Sequence, residues 1–293
     1  MQGAQSPRNE AYCYVRRKPA PAKAGEGCSA TQQMSVFQQP AEDGEMIKII
    51  GLHKSFGKQA VLDGVDLEIE AGKTTVIIGR SGGGKSVLLK HIIGLLRPDK
   101  GEVLIDGTDI TKLGDRDLNE IRKMFGMLFQ EAALFDSLTV GENVAFPLRE
   151  HTRMQEEEIR RVVADRLRSV GLTGVEGKMP SELSGGMRKR VGLARAIALQ
   201  PRIVLFDEPT TGLDPVMAEA INRLIVETQK NFNLTCIVIS HDIRSIFTVG
   251  HRIAMLHEGK IIEYGAAEEL RASRNPVTVQ FLSGSIDGPI RVM

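Results

Sequence analysis

Eight consecutive residues, Gly79-Arg80-Ser81-Gly82-Gly83-Gly84-Lys85-Ser86, satisfy the pattern G-x-x-x-x-G-K-[ST] at every fixed position. Each residue type has a task in holding phosphate. Glycines let the main chain wrap closely around a β-phosphate with its N–H groups turned inward. A helix starting where the loop ends adds the partial positive charge of its N-terminus. Lys85 would bring a full charge to the β- and γ-phosphates, and the Ser86 hydroxyl would ligate Mg²⁺. Val87 closes the segment. The pattern needs a strand before it and a helix after it. The apolar run Thr74–Ile78 reads as a buried strand, and residues 87–93 read as a helix.

Two further groups fit the same chemistry. Asp207 and Glu208 follow the apolar run Ile203-Val204-Leu205-Phe206. A carboxylate at the C-terminal edge of a parallel strand, beside a phosphate loop, is placed to hold Mg²⁺ through water, which suits Asp207. Glu208 then faces the γ-phosphate and polarises the attacking water. Ser184-Gly185-Gly186 precedes an amphipathic helix rich in Arg and Ala (188–199), so a hydroxyl and backbone N–H groups at its positive end form a second anion site.

The elements that must position these residues follow from periodicity. Residues 47–69 show short alternating strands broken at Gly57 and Gly64. With 101–105 they predict a small antiparallel sheet beside the phosphate-binding strand. From 138 to 170 the pattern is helical. Ile159, Val162, Val163, Arg166 and Leu167 share one face, and Glu156, Glu157 and Glu158 occupy the first turn, where the dipole favours them. Strands at 203–206 and 236–239 flank a helix over 217–230, and such alternation implies a parallel sheet. Residues 252–264 read as a terminal hairpin turning at Glu258-Gly259. Residues 1–44, rich in Pro, Ala, Gly and Gln, read as a disordered tail in which Met34, or Met46 just beyond it, could be the true start. There is one phosphate loop and no internal repeat.

Composition narrows the class. The 293 residues suffice for one large domain or two modest ones. A formal net charge of +1 supplies no field for nucleic acid or anionic lipid. Apolar residues make up 42% with aromatics at 4%, as an aliphatic α/β core requires. No apolar run is long enough to span a membrane. The first residues hold no apolar signal core, which argues against secretion. Cys13, Cys28 and Cys236 lack metal-site spacing and fit a reduced cytosolic compartment.

Taken in order, Gly79 to Ser86, Gln130, Ser184-Gly185-Gly186, Asp207-Glu208, Asp214 and His241 resemble the ATP-binding subunits of ABC transporters over about residues 47–265. The resemblance implies a P-loop NTPase fold with a RecA-like parallel core, an antiparallel β subdomain and an α-helical subdomain at about 132–200. The nucleotide-binding domain would span 45–265, followed by a C-terminal extension over 266–293. It also implies a head-to-tail dimer in which each ATP lies between the phosphate loop of one copy and Ser184-Gly185-Gly186 of the other. Gln130 would touch Mg²⁺ or the water and sense the γ-phosphate. His241 would donate to the γ-phosphate and align Glu208. Asp214 would communicate across the dimer, and Phe56 would stack on adenine. The sequence departs from the family at Met187, where Gln is usual. Since the phosphate contacts come from Ser184 and the glycines, catalysis should survive.

Residues 128–135, 143–152, 179–187 and 280–289 resemble more narrowly the Mla-type, Mce-associated phospholipid transporters. That resemblance implies a peripheral subunit on the cytoplasmic face of the bacterial inner membrane, bound to a multispanning permease. A small STAS-domain protein and an Mce-type lipid-binding protein would be further partners, with no nucleic acid involved. The activity implied is phospholipid movement between inner and outer membranes that maintains outer-membrane asymmetry. The alternatives are an engine for another cargo (amino acid, drug or solvent) or a non-transport ABC ATPase. Ala132, Ala133, Leu134 and Phe135 are apolar in an expected surface loop, which fits a groove for a permease helix. Phe281 and Leu282 are candidates for contacts with the second copy.

Overall fold

Alternation of apolar residues along the central strands sends each strand into two cores. The computed structural model describes residues 44–291. The expectations for the N-terminal tail, with Cys13, Cys28 and Met34, lie outside the described residues. A four-stranded sheet has the order β2-β1-β4-β5, formed by β1 (Glu45–Phe56), β2 (Gln59–Glu70), β4 (Lys100–Ile105) and β5 (Thr108–Asp109). A six-stranded sheet has the order β10-β9-β3-β8-β7-β6. Its strands are β3 (Thr74–Ile78), β6 (Phe125–Leu128), β7 (Ile203–Asp207), β8 (Thr235–Ile239), β9 (Arg252–His257) and β10 (Lys260–Ala266). All its neighbours pair in parallel except the β9–β10 hairpin. Every residue of β3 and β8 is buried, as expected for parallel strands covered on both faces.

Ile77 of β3, Ile203 and Leu205 of β7, and Ile237 and Ile239 of β8 face one core. That core is closed by β1, β2, β4 and by Leu88, Leu89 and Ile92 of α1 (Lys85–Ile92). Val76, Ile78, Val204, Phe206, Cys236 and Val238 face the other. The second core includes residues of α3 (Val140–His151), α4 (Glu156–Ser169), α5 (Gly185–Ala196), α6 (Pro215–Phe232) and α7 (Ile243–Val249), while α2 (Asp115–Arg122) packs on the first. On α4, Ile159, Val163, Arg166 and Leu167 are buried, the face that periodicity identified. Thr139 starts α3 through a capping box with Glu142.

One expectation needs revision. Gly57 does turn β1 into β2, but Gly64 does not break the strand. It lies inside β2 at φ +81° as a bulge, skipped between the pairs Leu52–Val65 and His53–Asp63. The chain after β10 also carries regular structure. Helices α8 (Ala267–Arg271) and α9 (Pro276–Ser283) follow, with Ala267, Leu270 and Ile290 in the second core and Phe281 and Leu282 packed against it.

Candidate nucleotide site

Strands β3, β7 and β8 run in parallel, so their C-terminal ends emerge on one edge, where open α/β sheets bind ligands. β3 leads into the phosphate loop, β7 into Asp207 and Glu208, and β8 into Ser240 and His241. β6 pairs with β7 up to Leu128–Phe206, which brings Gln130 to the same edge.

Two glycines of the loop are required by close approach. A Cβ on Gly79, at φ +149°, would lie 2.2 Å from the Leu256 carbonyl oxygen, and one on Gly83 would lie 2.9 Å from that of Arg80. Gly84, at φ +96°, precedes α1 with no side-chain cap, and the first turn of α1 holds no acidic residue. No side chain caps the N–H groups of its first turn. Arg80, Ser81, Gly82 and Ser86 are exposed, and Val87 is half-buried. The Lys85 ammonium is buried and donates to Gly79 O at 2.8 Å and Arg80 O at 2.9 Å. Burial lowers its pKa, and the charges of Glu208 and Asp207 oppose that shift. The Asp207 carboxyl is raised, first by burial and then by Glu208, against Lys85 and Lys90. A desolvated cation and a desolvated anion therefore face one small region.

Glu208 has φ +50°, a left-handed backbone for a non-glycine residue. Such strain recurs at functional sites when the surroundings enforce it. Here the Glu208 N–H donates to Ile239 O at 3.0 Å. Thr211 Oγ1 donates to Glu208 Oε2 at 3.3 Å, and His241 Nδ1 lies 2.8 Å from the same oxygen. The imidazole is largely exposed, and the carboxylate is mostly covered.

The remaining candidates stand at the ends of elements. Ser184 is the N-cap of α5, its Oγ accepting from Met187 N at 3.3 Å. A Cβ on Gly185 would meet Leu213 at 3.6 Å, and one on Gly186 would meet Met217 at 2.3 Å, so this segment rests on the start of α6. Among the described residues no hydrogen bond joins Ser184-Gly185-Gly186 to the phosphate loop. Asp214 caps α6, accepting from Val216 N and Met217 N at 3.0 Å. Phe56 ends β1 at 50% exposure, with the Lys54 ammonium over its ring, 5.8 Å from the centroid.

The loop after Gln130 is less exposed than its sequence suggests. Ala132 is buried and Leu134 packs on the second core, whereas Ala133 and Phe135 are open. The exposed apolar surface is made instead by Phe129, Phe135 and Phe146, with the last two rings 4.9 Å apart. The helical period of α3 could have pointed to Phe146, whose partner Phe135 lies in a loop without period. Sequence reasoning also passed over Lys189, which is buried and donates to Gln130 O.

Residues 62–211 match the family model described as ABC transporter. The chain is 48% identical over 247 residues to a probable ribonucleotide transport ATP-binding protein, mkl, of Mycobacterium leprae, covering 84% of this chain and 71% of that protein. It is 46% identical over 246 residues to the intermembrane phospholipid transport system ATP-binding protein MlaF of Haemophilus influenzae, covering 84% of this chain and 93% of that one. Among solved structures, a dimeric post-hydrolysis state of the ATP-binding cassette MJ0796 bound to ADP and Pi superposes with a TM-score of 0.69 at 35% identity, over 75% of this chain and 98% of that one. With the phosphate loop, the carboxylate pair and the histidine on one sheet edge, and with relatives this similar, the chain belongs to the ABC transporter family of ATP-binding proteins.

Proposed function

We propose that this chain hydrolyses ATP to ADP and phosphate to power phospholipid transfer between membranes, as the cytoplasmic engine of an inner-membrane transporter. The observation that carries the catalytic part is the 2.8 Å contact between His241 Nδ1 and Glu208 Oε2, on the sheet edge that also bears the phosphate loop. The N–H groups from Gly79 to Val87 hold the β- and γ-phosphates. Lys85 exchanges its contacts with Gly79 O and Arg80 O for phosphate oxygens, where its charge opposes the charge of the triphosphate. Phe56 stacks on adenine.

Glu208 takes a proton from the attacking water, a role for a carboxylate that its neighbours orient. His241 orients it through Nδ1–H. As an imidazolium it donates from Nε2 to the γ-phosphate as well. Mg²⁺ would be held by Ser86 Oγ, Gln130 and Asp207, an all-oxygen donor set that suits a hard cation. Among the described residues no group of three or more His, Cys, Asp or Glu could hold a metal unaided, which fits an ion shared with phosphates. When bound, Mg²⁺ neutralises charge on the β- and γ-oxygens.

Ser184, Gly185 and Gly186 serve a nucleotide held by a second copy of this chain. Asp214 and the start of α6 lie against that segment and carry the signal between the two sites. Closure needs γ-phosphate contacts that exist in one arrangement only, so ATP shifts the population toward the closed dimer and hydrolysis reverses it. The exposed Phe129, Phe135 and Phe146 receive a permease helix. A STAS-domain subunit and an Mce-type lipid carrier complete the assembly.

Phospholipid is favoured over ribonucleotide as cargo because the likeness to MlaF spans 93% of that protein, against 71% for mkl. The complex is purified from membranes in detergent, its bound lipids are identified by mass spectrometry, and its ATPase is measured with phospholipid vesicles or added ribonucleotides. Co-purified phospholipid with ATPase stimulated by vesicles supports the reading. Stimulation by the added ribonucleotides alone overturns the cargo.

A further inference from the structure

Helix α5 begins at Ser184-Gly185-Gly186, yet its body grips a different segment. The Lys189 ammonium, 5% exposed, donates to the main-chain oxygen of Gln130. Arg195 donates from its two terminal nitrogens to Ala132 O and Ala133 O, each at 2.8 Å, and its guanidinium lies 5.8 Å from the Phe135 ring centroid. Between these cations, a Cβ on Gly192 would come 2.7 Å from Leu128 Cδ1 and 3.1 Å from Ala132 Cβ. Positions 189, 192 and 195 follow one another at helical spacing and so share a face. That face holds the main chain on both sides of Gln130.

The segment it holds is strained. Ala132 has φ +60° and Ala133 φ +46°, two successive non-glycine residues in left-handed conformation. Such backbone persists only where surrounding contacts enforce it. Charge-assisted hydrogen bonds to carbonyl oxygens are strong enough to do so. Burial disfavours the charge on both Lys189 and Arg195, and for Lys189 the carboxylates of Glu131 and Glu208 oppose that effect. The phosphate chemistry described above uses neither cation, so the burial of Lys189 and the contacts of Arg195 call for another explanation.

We propose that Lys189 and Arg195 are positioning residues that hold the Gln130 loop in its left-handed path against α5 and so keep Gln130 at the nucleotide edge. The inference rests on the reading that Gln130 acts on ATP. Glycine adopts the left-handed region without strain. A loop with glycine at 132 and 133 should therefore depend much less on Arg195.

The test uses the full-length chain purified from membranes with the subunits it carries. Arg195→Gln should lower kcat for ATP by about tenfold with KM changed by no more than about twofold, the signature of misplaced catalytic groups rather than lost binding. Amide exchange across 131–135 should quicken. Adding Ala132→Gly and Ala133→Gly to Arg195→Gln should restore at least about half of kcat, which a general packing role does not predict. Lys189→Met should lower kcat in the same way and Lys189→Arg should retain it, so the inference stays testable if Arg195→Gln fails to fold. A kcat within about twofold of wild type in both Arg195→Gln and Lys189→Met overturns the proposal, as does a loss the glycines leave unrepaired. Gln130→Ala separates the two levels: an unchanged kcat there overturns the reading of the site. A fall there, with Arg195→Gln and Lys189→Met unaffected, overturns the clamp alone.

Discussion

Replacing Glu208 by Gln removes one charge and one proton acceptor and keeps the shape. The bond from Thr211 survives, because an amide oxygen accepts from Thr211 Oγ1, at 3.3 Å in the parent, and His241 Nδ1, 2.8 Å from that oxygen, keeps a polar neighbour. The strained backbone is held by the N–H bond to Ile239 O at 3.0 Å, which does not involve the side chain. The imidazole partner is more than half exposed, so the ion pair contributes under about 1 kcal/mol. The melting temperature should therefore move by no more than about 4 °C. A positioned general base contributes about 10²–10⁴ in rate. At about 1.4 kcal/mol per tenfold, that is roughly 3–5 kcal/mol of barrier. Phosphate release at saturating Mg²⁺-ATP should fall by that factor, while binding of a fluorescent ATP analogue stays within about threefold. With hydrolysis blocked, ATP should hold the closed dimer long enough for size-exclusion detection. A kcat within about fivefold of wild type at normal binding would refute the base assignment, and loss of binding alongside turnover would move Glu208 from chemistry to affinity.

Other perturbations test separate parts of the site. Phe56→Ala should leave stability nearly unchanged, because the ring is half exposed. It should raise KM for ATP about five- to a hundredfold, the range of base–aromatic stacking, but leave KM for tripolyphosphate alone; equal effects on both contradict the stacking role. Gly79→Ala should destabilise by at least about 2 kcal/mol, since its Cβ would lie 2.2 Å from a main-chain oxygen, and unchanged denaturant unfolding contradicts that geometry. Asp207→Asn reports on pH. Burial raises the Asp207 pKa, and a raised acid contributes stability that is present below its unfolded pKa and lost as pH rises through the folded one. At neutral pH the ionised carboxylate thus weighs against the fold. Asp207→Asn should melt above wild type at pH 7, with the difference shrinking in acid; a difference that grows in acid contradicts it.

What the sequence revealed and what it hid divide along physical lines. The loop from Gly79 to Ser86 and the strands on either side of it were legible because close backbone approach demands glycine and a doubly covered strand demands a continuous apolar run. β7 and β8 were legible for the same reason, and α6 and the buried face of α4 by their period. β6 and α2 escaped notice. β6 is four residues long with only Gly126 and Leu128 buried, and α2 buries only Leu118, so neither carries a strong period. Gly64 read as a break because a bulge and a turn use the same residue. Lys189 and Arg195 passed unremarked within a helix read as rich in Arg and Ala, since no pattern distinguishes a cation facing water from one facing main-chain carbonyls. The left-handed turn at Ala132-Ala133 was hidden for a related reason: alanine does not favour that conformation, and tertiary contacts impose it.

The central claim is that each ATP is completed by a neighbouring copy, and mixed dimers test it. Lys85→Met disables the phosphate loop. Gly185→Glu disables the Ser184 segment without a core clash, since a Cβ there meets only Leu213 at 3.6 Å. Each variant alone should be inactive. Combined as differently tagged heterodimers, they should recover ATPase activity, because both lesions fall in one site and the other is intact. Heterodimers isolated through both tags that stay as inactive as their parents would contradict the claim and show that each copy relies on its own Ser184 segment.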